Sequence, residues 1–283
     1  MDIIAGTSGH GSADGTLIAS GGTLAYGVPD STSSVTVSNG AVDNLTGNII
    51  LQATTLLTVS APITLTIHGQ GLTLHSSDNL TTNAAIKTAG DISLSAGNTL
   101  SVGATIATTG GSVNLNSDGS LIIGGTSLAA PVSASGTITL SGGDAGVSTF
   151  AGSPITAGGS LTITGLSVST GDSLVSQAGG ISVDGADSLS IGGPVNASSD
   201  IQLSGIDLNF TASITSKNGS VSVTSNGAGI SVSGGTISAA GGITLSGGPG
   251  ISIGDTLMAG GDISIAGGAE DTITAPVTSN AEA

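Results

Sequence analysis

The chain has 283 residues, and its 18 acidic side chains against two lysines give a formal net charge of −16 at pH 7. This charge excludes a nucleic-acid partner, because binding to phosphates needs lysine and arginine to displace counterions. No run reaches the roughly 20 apolar residues of a membrane-spanning helix, so the sequence also predicts no insertion into a membrane.

Aromatic residues are scarce: the chain contains two phenylalanines, one tyrosine and no tryptophan, although 37% of its residues are hydrophobic. A globular core in a chain of this length would ordinarily use large aromatic side chains. A narrow solenoid core needs only branched aliphatic residues, so the composition favours a repeat architecture.

Residues 1–47 form an irregular N-terminal region in which only an imperfect first turn is visible. This turn would contain Leu24, Tyr26, Val35, Val37 and Val42. Neither end shows an amphipathic helix or a polar capping repeat, which a free-standing solenoid needs to hide its strand edges. The sequence therefore predicts either a slice of a longer shaft or ends that stack on further copies of the chain.

Residues 48–270 carry a regular repeat of about 20 residues, which indicates a solenoid. Within each copy, apolar residues recur at every second position, which is the period of a β-strand. No window has a sustained helical stripe, so essentially no α-helix is expected. The clearest copy contains the apolar residues Ile92, Leu94, Leu100, Val102 and Ile106.

The predicted fold class is all-β: a single right-handed parallel β-helix with three short strands in each turn and about twelve turns. Residues 271–283 are interpreted as a last partial turn and a polar tail. The aliphatic residues of the repeat are expected to point inward and form the structural core. The predicted core residues are Ile92, Leu94, Leu100, Val102, Ile106, Ile181, Val183, Leu189, Ile191, Ile201, Leu203, Val221, Val223, Ile243, Leu245, Ile263 and Ile265.

A resemblance to a known class of protein lies in the stretches GNIILQATTLLTVSAPI and GDISLSAGNTLSVGATIATTGGSVNLNSDGSLIIGG. Their repeat pattern resembles the β-helical shafts of filamentous-haemagglutinin-type exoproteins, which are large bacterial surface adhesins; autotransporter passengers share it. The resemblance covers most of residues 48–270. It implies a secreted or cell-surface protein with a fibrous or adhesive role and supplies no catalytic residues.

We therefore predict a structural protein with neither enzymatic activity nor a cofactor. The expected partners are further copies stacked end to end or a longer flanking shaft, together with a ligand on a host or neighbouring cell. Whether the chain is a fibre subunit or an adhesin shaft stays open at this point.

The alternative function is a β-helical carbohydrate-active enzyme, either a polysaccharide lyase or a hydrolase. A lyase needs a cation near the reacting carbon, and only Lys87 and Lys217 could supply it. A hydrolase needs two carboxylates, for which Asp184, Asp187 and Asp207 are the candidates. Since Asp is common at outward and turn positions, solvated side chains are the preferred interpretation.

Two groups of residues have side chains of the types that bind metal ions, and no metal site is predicted from either. Asp91, Asp200 and Asp262 each precede the first strand of a turn but do not occupy consecutive turns, so a ladder of cations is not expected. His68, His75 and Asp78 share one wide turn and are interpreted as exposed loop residues.

The outward side chains of the first strand of each turn form a predicted column of mostly hydroxyl groups. We interpret this column as a solvated, hydrogen-bonding face rather than an ice-binding surface, because the residue type varies. Its members are Ser93, Asn114, Thr139, Thr162, Ser182, Gln202, Ser222, Thr244 and Ser264.

Overall fold

The structure is a computed structural model that describes residues 1–25, 35–268 and 270–280. The chain divides into two compact units, residues 1–143 with 150–153 and residues 144–149 with 154–283. Both units are built from short, stacked parallel strands, so the predicted all-β solenoid is confirmed. The predicted Tyr26 of the first turn lies outside the described residues, and the right-handed sense stays a prediction.

The first unit begins with short irregular elements and continues as regular turns of three strands. Its described elements are β1 (Asp2–Ile4), α1 (Asp14–Ala19), β2 (Thr23–Ala25), β3 (Thr36–Ser38), α2 (Asn39–Asp43), β4 (Ile49–Ala53), β5 (Leu56–Val59), β6 (Ile63–Leu65), β7 (Leu72–Ser76), β8 (Asn79–Thr82), β9 (Ile86–Thr88), β10 (Ile92–Ala96), β11 (Thr99–Val102), β12 (Ile106–Thr108), β13 (Val113–Ser117), β14 (Ser120–Ile123), β15 (Val132–Ala134) and β16 (Ile138–Gly142).

The second unit contains strands alone within its described residues. These are β17 (Gly146–Thr149), β18 (Ile155–Ala157), β19 (Leu161–Thr170), β20 (Leu174–Ser176), β21 (Ile181–Ile191), β22 (Val195–Ala197), β23 (Ile201–Phe210), β24 (Ile214–Ser216), β25 (Val221–Ser225), β26 (Ile230–Val232), β27 (Ile237–Ala239), β28 (Ile243–Ser246), β29 (Ile251–Ile253), β30 (Leu257–Ala259), β31 (Ile263–Ala266), β32 (Thr272–Ile273) and β33 (Val277–Ser279).

Each regular turn contributes one strand to each of three parallel faces, named here in chain order from the first to the third. In the turn at β10, Ile92 of the first face pairs with Leu72 of the preceding turn and Val113 of the following turn. The third face contains 11 described strands, one for each turn, where the sequence predicted about twelve. The difference lies in the N-terminal region, where the strands and helices of residues 1–25 and 35–47 do not form a three-strand turn.

The core of each unit is a column of aliphatic side chains in which like residues stack on like. All but two of the predicted core residues are at most 1% exposed. Burying each such side chain contributes about 1.5–3 kcal/mol. The prediction was wrong for Ile263 and Ile265, which are only half-buried. Their strand β31 pairs with β28 on one side, and no described strand covers its other edge.

Three turns of the second unit differ from the predicted pattern of separate short strands. In β19, β21 and β23 the first-face and second-face strands run together through the corner, with register shifts after Gly165 and Gly185. A bulge of this kind bends a strand without ending it. A side chain at Gly185 would collide with the backbone carbonyl of Ser188, so glycine is required there.

The N-terminal region covers the first turn, which corrects the expectation that neither end is capped. Strand β2 pairs with β4, strand β1 pairs with β5, and helix α2 packs against β6, so each face of this turn has a covering element. The backbone N–H of Thr64 donates to Oδ1 of Asp43 at 2.8 Å. The Asn39 side-chain amide donates to the carbonyl of Pro62 at 2.9 Å. We call residues 1–25 and 35–47 the N-terminal cap.

A buried carboxylate holds the N-terminal cap together. Asp14, which is 1% exposed, accepts hydrogen bonds from the backbone N–H groups of Gly9, Gly11 and Ser38 and from the Ser38 hydroxyl. Burial acts to raise the pKa of Asp14, but these hydrogen bonds outweigh it and hold the pKa below its ordinary value. Because Ser38 also caps α2 by accepting from Ala41, the carboxylate links the two helices.

Candidate functional site: the column before the first face

The two lysines considered for a lyase lie in different units. Lys87 is exposed on strand β9 of the third face in the first unit. Lys217 is exposed directly after β24 in the second unit. Neither lysine lines one of the two cavities described below.

The carboxylates considered for a hydrolase lie on the exposed surface of the bulged strands. Oδ1 of Asp184 accepts a hydrogen bond of 2.8 Å from the hydroxyl of Ser204 in the next turn. Asp187 and Asp207 are exposed at the bulge, where Asp207 is in register with Ser188. These three residues line neither of the two cavities described below.

The histidines do not form a metal site within the described part of the chain, where no group of three His, Cys, Asp or Glu side chains is placed to hold a metal ion. His68 is exposed. His75 is half-buried on the first face, and its Nδ1 lies 2.8 Å from the hydroxyl of Ser95.

The residues that immediately precede each first-face strand form a vertical column, which we call the pre-strand column. In this column a side chain of one turn accepts a hydrogen bond from the backbone N–H of the next turn. Asp91 accepts from Ser112 at 2.8 Å, and Ser112 in turn accepts from Thr137 at 3.1 Å. The side chain thus satisfies an N–H at a corner where the strand ladder has not yet begun.

The second unit repeats this arrangement with the same residue types. Asp200 accepts from the backbone N–H of Ser220 at 2.8 Å, and Ser220 accepts from Gly242 at 3.1 Å. Asp91 and Asp200, two of the three aspartates that the sequence offered as a metal column, are therefore parts of a hydrogen-bonded corner. The Oδ1 atom of each accepts from a backbone N–H, and the residues they meet are serines rather than further carboxylates. The third, Asp262, is exposed.

Glycine interrupts the pre-strand column before each of these aspartates. Gly71 precedes Asp91 in the column, and Gly180 precedes Asp200. A glycine has no side chain to accept from the next turn, and among the described residues the backbone N–H groups of both aspartates have no acceptor. The signal of this relationship in the sequence is the spacing of 20 residues between the glycine and the aspartate, which the residue types alone do not reveal.

A surface cavity lies at each of these two glycines. The cavity in the first unit has a volume of about 310 Å³ and is lined by Asn48, Ile50, Gly69, Gly71, Leu72, Thr73, Asp91 and Ser93. The cavity in the second unit has a volume of about 340 Å³ and is lined by Ser160, Leu161, Thr162, Gly180, Ile181, Ser182, Ser199, Asp200 and Gln202. The predicted hydroxyl column supplies Ser93, Thr162, Ser182 and Gln202 to these linings.

Among the described residues, no helix has the length and apolar character that crossing a membrane requires. Comparisons with protein-family models, with curated proteins and with solved structures find no match to this chain. The fold and the arrangement of residues in the two units are therefore the basis for a functional proposal.

Proposed function

We propose that the chain is a non-catalytic structural protein, a β-helical segment in the shaft of a bacterial surface adhesin of the filamentous-haemagglutinin type. In this role it is secreted and spaces adhesive loops or neighbouring domains away from the cell. The resemblance of its repeat pattern to such shafts supports the assignment, as does the solenoid architecture of both units.

One observation carries the proposal: within each unit, successive turns are joined by in-register parallel pairing over a continuous aliphatic core. Ile201, for example, pairs with Ile181 and with Val221, and all three side chains are at most 1% exposed. Stacking of this kind makes stability a property of neighbouring turns rather than of a single site. It provides stiffness without requiring any catalytic group.

The N-terminal cap bears on how such a segment would be assembled. Head-to-tail stacking of copies would need the first turn to offer unpaired strand edges, but β1 and β2 already pair with β5 and β4. We therefore favour a shaft that continues from the edge of β31, which no described strand covers, over end-to-end polymerisation of this chain. Sedimentation velocity over a hundredfold range of concentration tests this choice, with a constant sedimentation coefficient expected and concentration-dependent growth the contrary result.

The surface location is tested with an antibody raised against the purified chain. The antibody should label intact cells of the source bacterium as strongly as permeabilised cells. Labelling that appears only after permeabilisation would overturn the proposed location.

The absence of catalysis is tested by incubating the protein with neutral and uronate-containing polysaccharides and measuring new reducing ends and unsaturated products. No release is expected. A cleaving activity that Asp184→Asn abolishes in a folded protein would replace the shaft proposal with the carbohydrate-active enzyme.

A further inference from the structure

The two cavities at Gly71 and Gly180 share one construction, although they lie in different units. In each, a glycine omits one side chain from the pre-strand column, and the aspartate of the next turn follows it. A Cβ atom at Gly180 would lie 2.7 Å from the carbonyl oxygen of Asp200, and one at Gly71 would lie 3.1 Å from that of Asp91. The close approach of the two turns therefore depends on glycine at both places.

The missing side chain leaves a hydrogen-bond donor at the cavity. In complete steps of the column the N–H points at the preceding side chain, as Ser112 does at Asp91. By the same geometry the N–H of Asp91 points at the space above Gly71, where no described group accepts from it. Because Asp91 is exposed, a ligand atom that accepts a hydrogen bond would take the place of solvent at this N–H.

Acceptors for a ligand lie beside this donor. Oδ1 of Asp91 is engaged by Ser112, while Oδ2 makes no hydrogen bond within the described residues. The hydroxyls of Thr73 and Ser93 line the same cavity and can both donate and accept. A hydroxyl group matches this pair, because its oxygen can accept from an N–H while its hydrogen donates to a carboxylate.

The charges and the shape narrow the ligand class further. An anionic ligand would meet the aspartate in a chain whose net charge is −16, and a lone cation would leave the backbone N–H unused. The volumes of about 310 and 340 Å³ lie at the lower end of the range for ligand sites. That is room for one or two sugar rings.

The second unit supplies an independent copy of the same chemistry. There Asp200 provides the unpaired N–H and a carboxylate, while Ser160, Thr162 and Gln202 provide polar side chains at the cavity. We propose that both cavities bind a neutral, hydroxyl-rich saccharide, each contacting one short stretch of a glycan. This proposal goes beyond the shaft role and does not rest on it, because the cavities and their donors are present whatever the chain supports.

The test is a titration followed by amide NMR, using maltohexaose, cellohexaose and the hexamer of N-acetylglucosamine as separate probes. With at least one probe, the amide signals of Asp91 and Asp200 should shift and saturate, with a Kd of about 1 mM, because no aromatic ring lines either cavity. The absence of saturable shifts at these amides with all three probes would overturn the proposal. Saturable shifts confined to other amides would overturn it equally.

Two variants test whether the NMR shifts of Asp91 and Asp200 depend on the absence of a side chain at Gly71 and Gly180. Gly71→Ser and Gly180→Ser each place a hydroxyl where the column lacks one, as Ser220 does for Gly242, and each should weaken binding at its own cavity at least tenfold. Thr139→Val lies on the same face outside both cavities and should bind like the wild type. If either serine variant fails to fold, Thr73→Val and Thr162→Val replace the pair, since their side chains are outward and need no backbone movement. Unchanged binding in folded variants would contradict the assignment.

Discussion

Asp43 and Thr64 join the N-terminal cap to the first regular turn, because the carboxylate Oδ1 accepts the backbone N–H at 2.8 Å. Burial raises the pKa of Asp43, and the hydrogen bond from Thr64 offsets only part of this effect. Ionised Asp43 is therefore less favourable in the folded state than in the unfolded chain. The contribution of Asp43 to the free energy of unfolding declines as the pH rises through its folded-state pKa.

The Asp43 contact predicts opposite behaviour for two substitutions. Asp43→Ala removes the acceptor and should cost about 1 kcal/mol of unfolding free energy at pH 7. Asp43→Asn keeps an acceptor oxygen and removes the poorly solvated charge, so it should be neutral or stabilising. Urea denaturation followed by circular dichroism compares the two, and an equal loss in both variants would show that the charge itself supports the contact.

Asp14 predicts the opposite dependence of stability on pH from Asp43, with stability lost in acid. Its pKa is depressed in the folded state, so its stabilisation is fully present above the unfolded value of about 3.9 and is lost as the pH falls through the folded pKa. Asp14→Asn turns an amide group toward N–H donors and should cost at least about 2 kcal/mol at pH 7. This difference from wild type should shrink below about pH 4. The exposed Asp187→Asn serves as the control, and a difference that stays constant with pH would contradict the assignment.

The aliphatic core predicts a sharp contrast between neighbouring positions of one strand. Ile201 is fully buried and Gln202 is exposed, and both lie in β23. Ile201→Asp buries an unpaired carboxylate at a cost of several kcal/mol and should prevent folding of the second unit. Gln202→Asp introduces the same residue at the surface and should change stability by less than about 0.5 kcal/mol. Solubility and circular dichroism of the two variants measure this contrast. If Ile201→Asp folded as well as Gln202→Asp, Ile201 would not belong to the core.

The bulged corner predicts that Gly185 cannot be replaced. Gly185→Ala forces a Cβ against the backbone carbonyl of Ser188 and should cost about 1–3 kcal/mol. Gly247→Ala is the matched control, because its Cβ would meet the side chains of Ile230 and Ile251 at an ordinary 3.4 Å. The control should be neutral or stabilise by up to about 1 kcal/mol. Thermal unfolding of both variants measures the difference, and equal midpoints would mean that the corner can relax.

The regular turns were predictable because their signal is local and repeated. An alternation such as Ile92 and Leu94 identifies a strand, and its return about every 20 residues identifies the stacking partner. Core positions follow directly from that alternation. The exceptions, Ile263 and Ile265, depend on what covers their strand, which their own sequence does not contain.

The N-terminal cap was not predictable by the same means. Its strands have three residues and its helices five or six, so they carry too little periodicity to be recognised. Their positions depend on contacts distant in sequence, such as the pairing of Asp2 with Thr58. The two cavities were missed for a related reason: neither Gly71 nor Asp91 is informative alone, and the cavity exists only because one stacks next to the other.

The most direct test of the structural account is amide hydrogen exchange resolved by residue in the native protein. Slow exchange is expected at Ile92 and Ile201, whose N–H groups donate to the carbonyls of Ser112 and Ser220 at 2.9 Å. Fast exchange is expected at Asp91 and Asp200, one residue earlier in each unit, where no group among the described residues accepts from the N–H. Uniformly fast exchange across either unit, or protection at the aspartates equal to that at the isoleucines, would contradict the stacked ladder on which the proposed shaft depends.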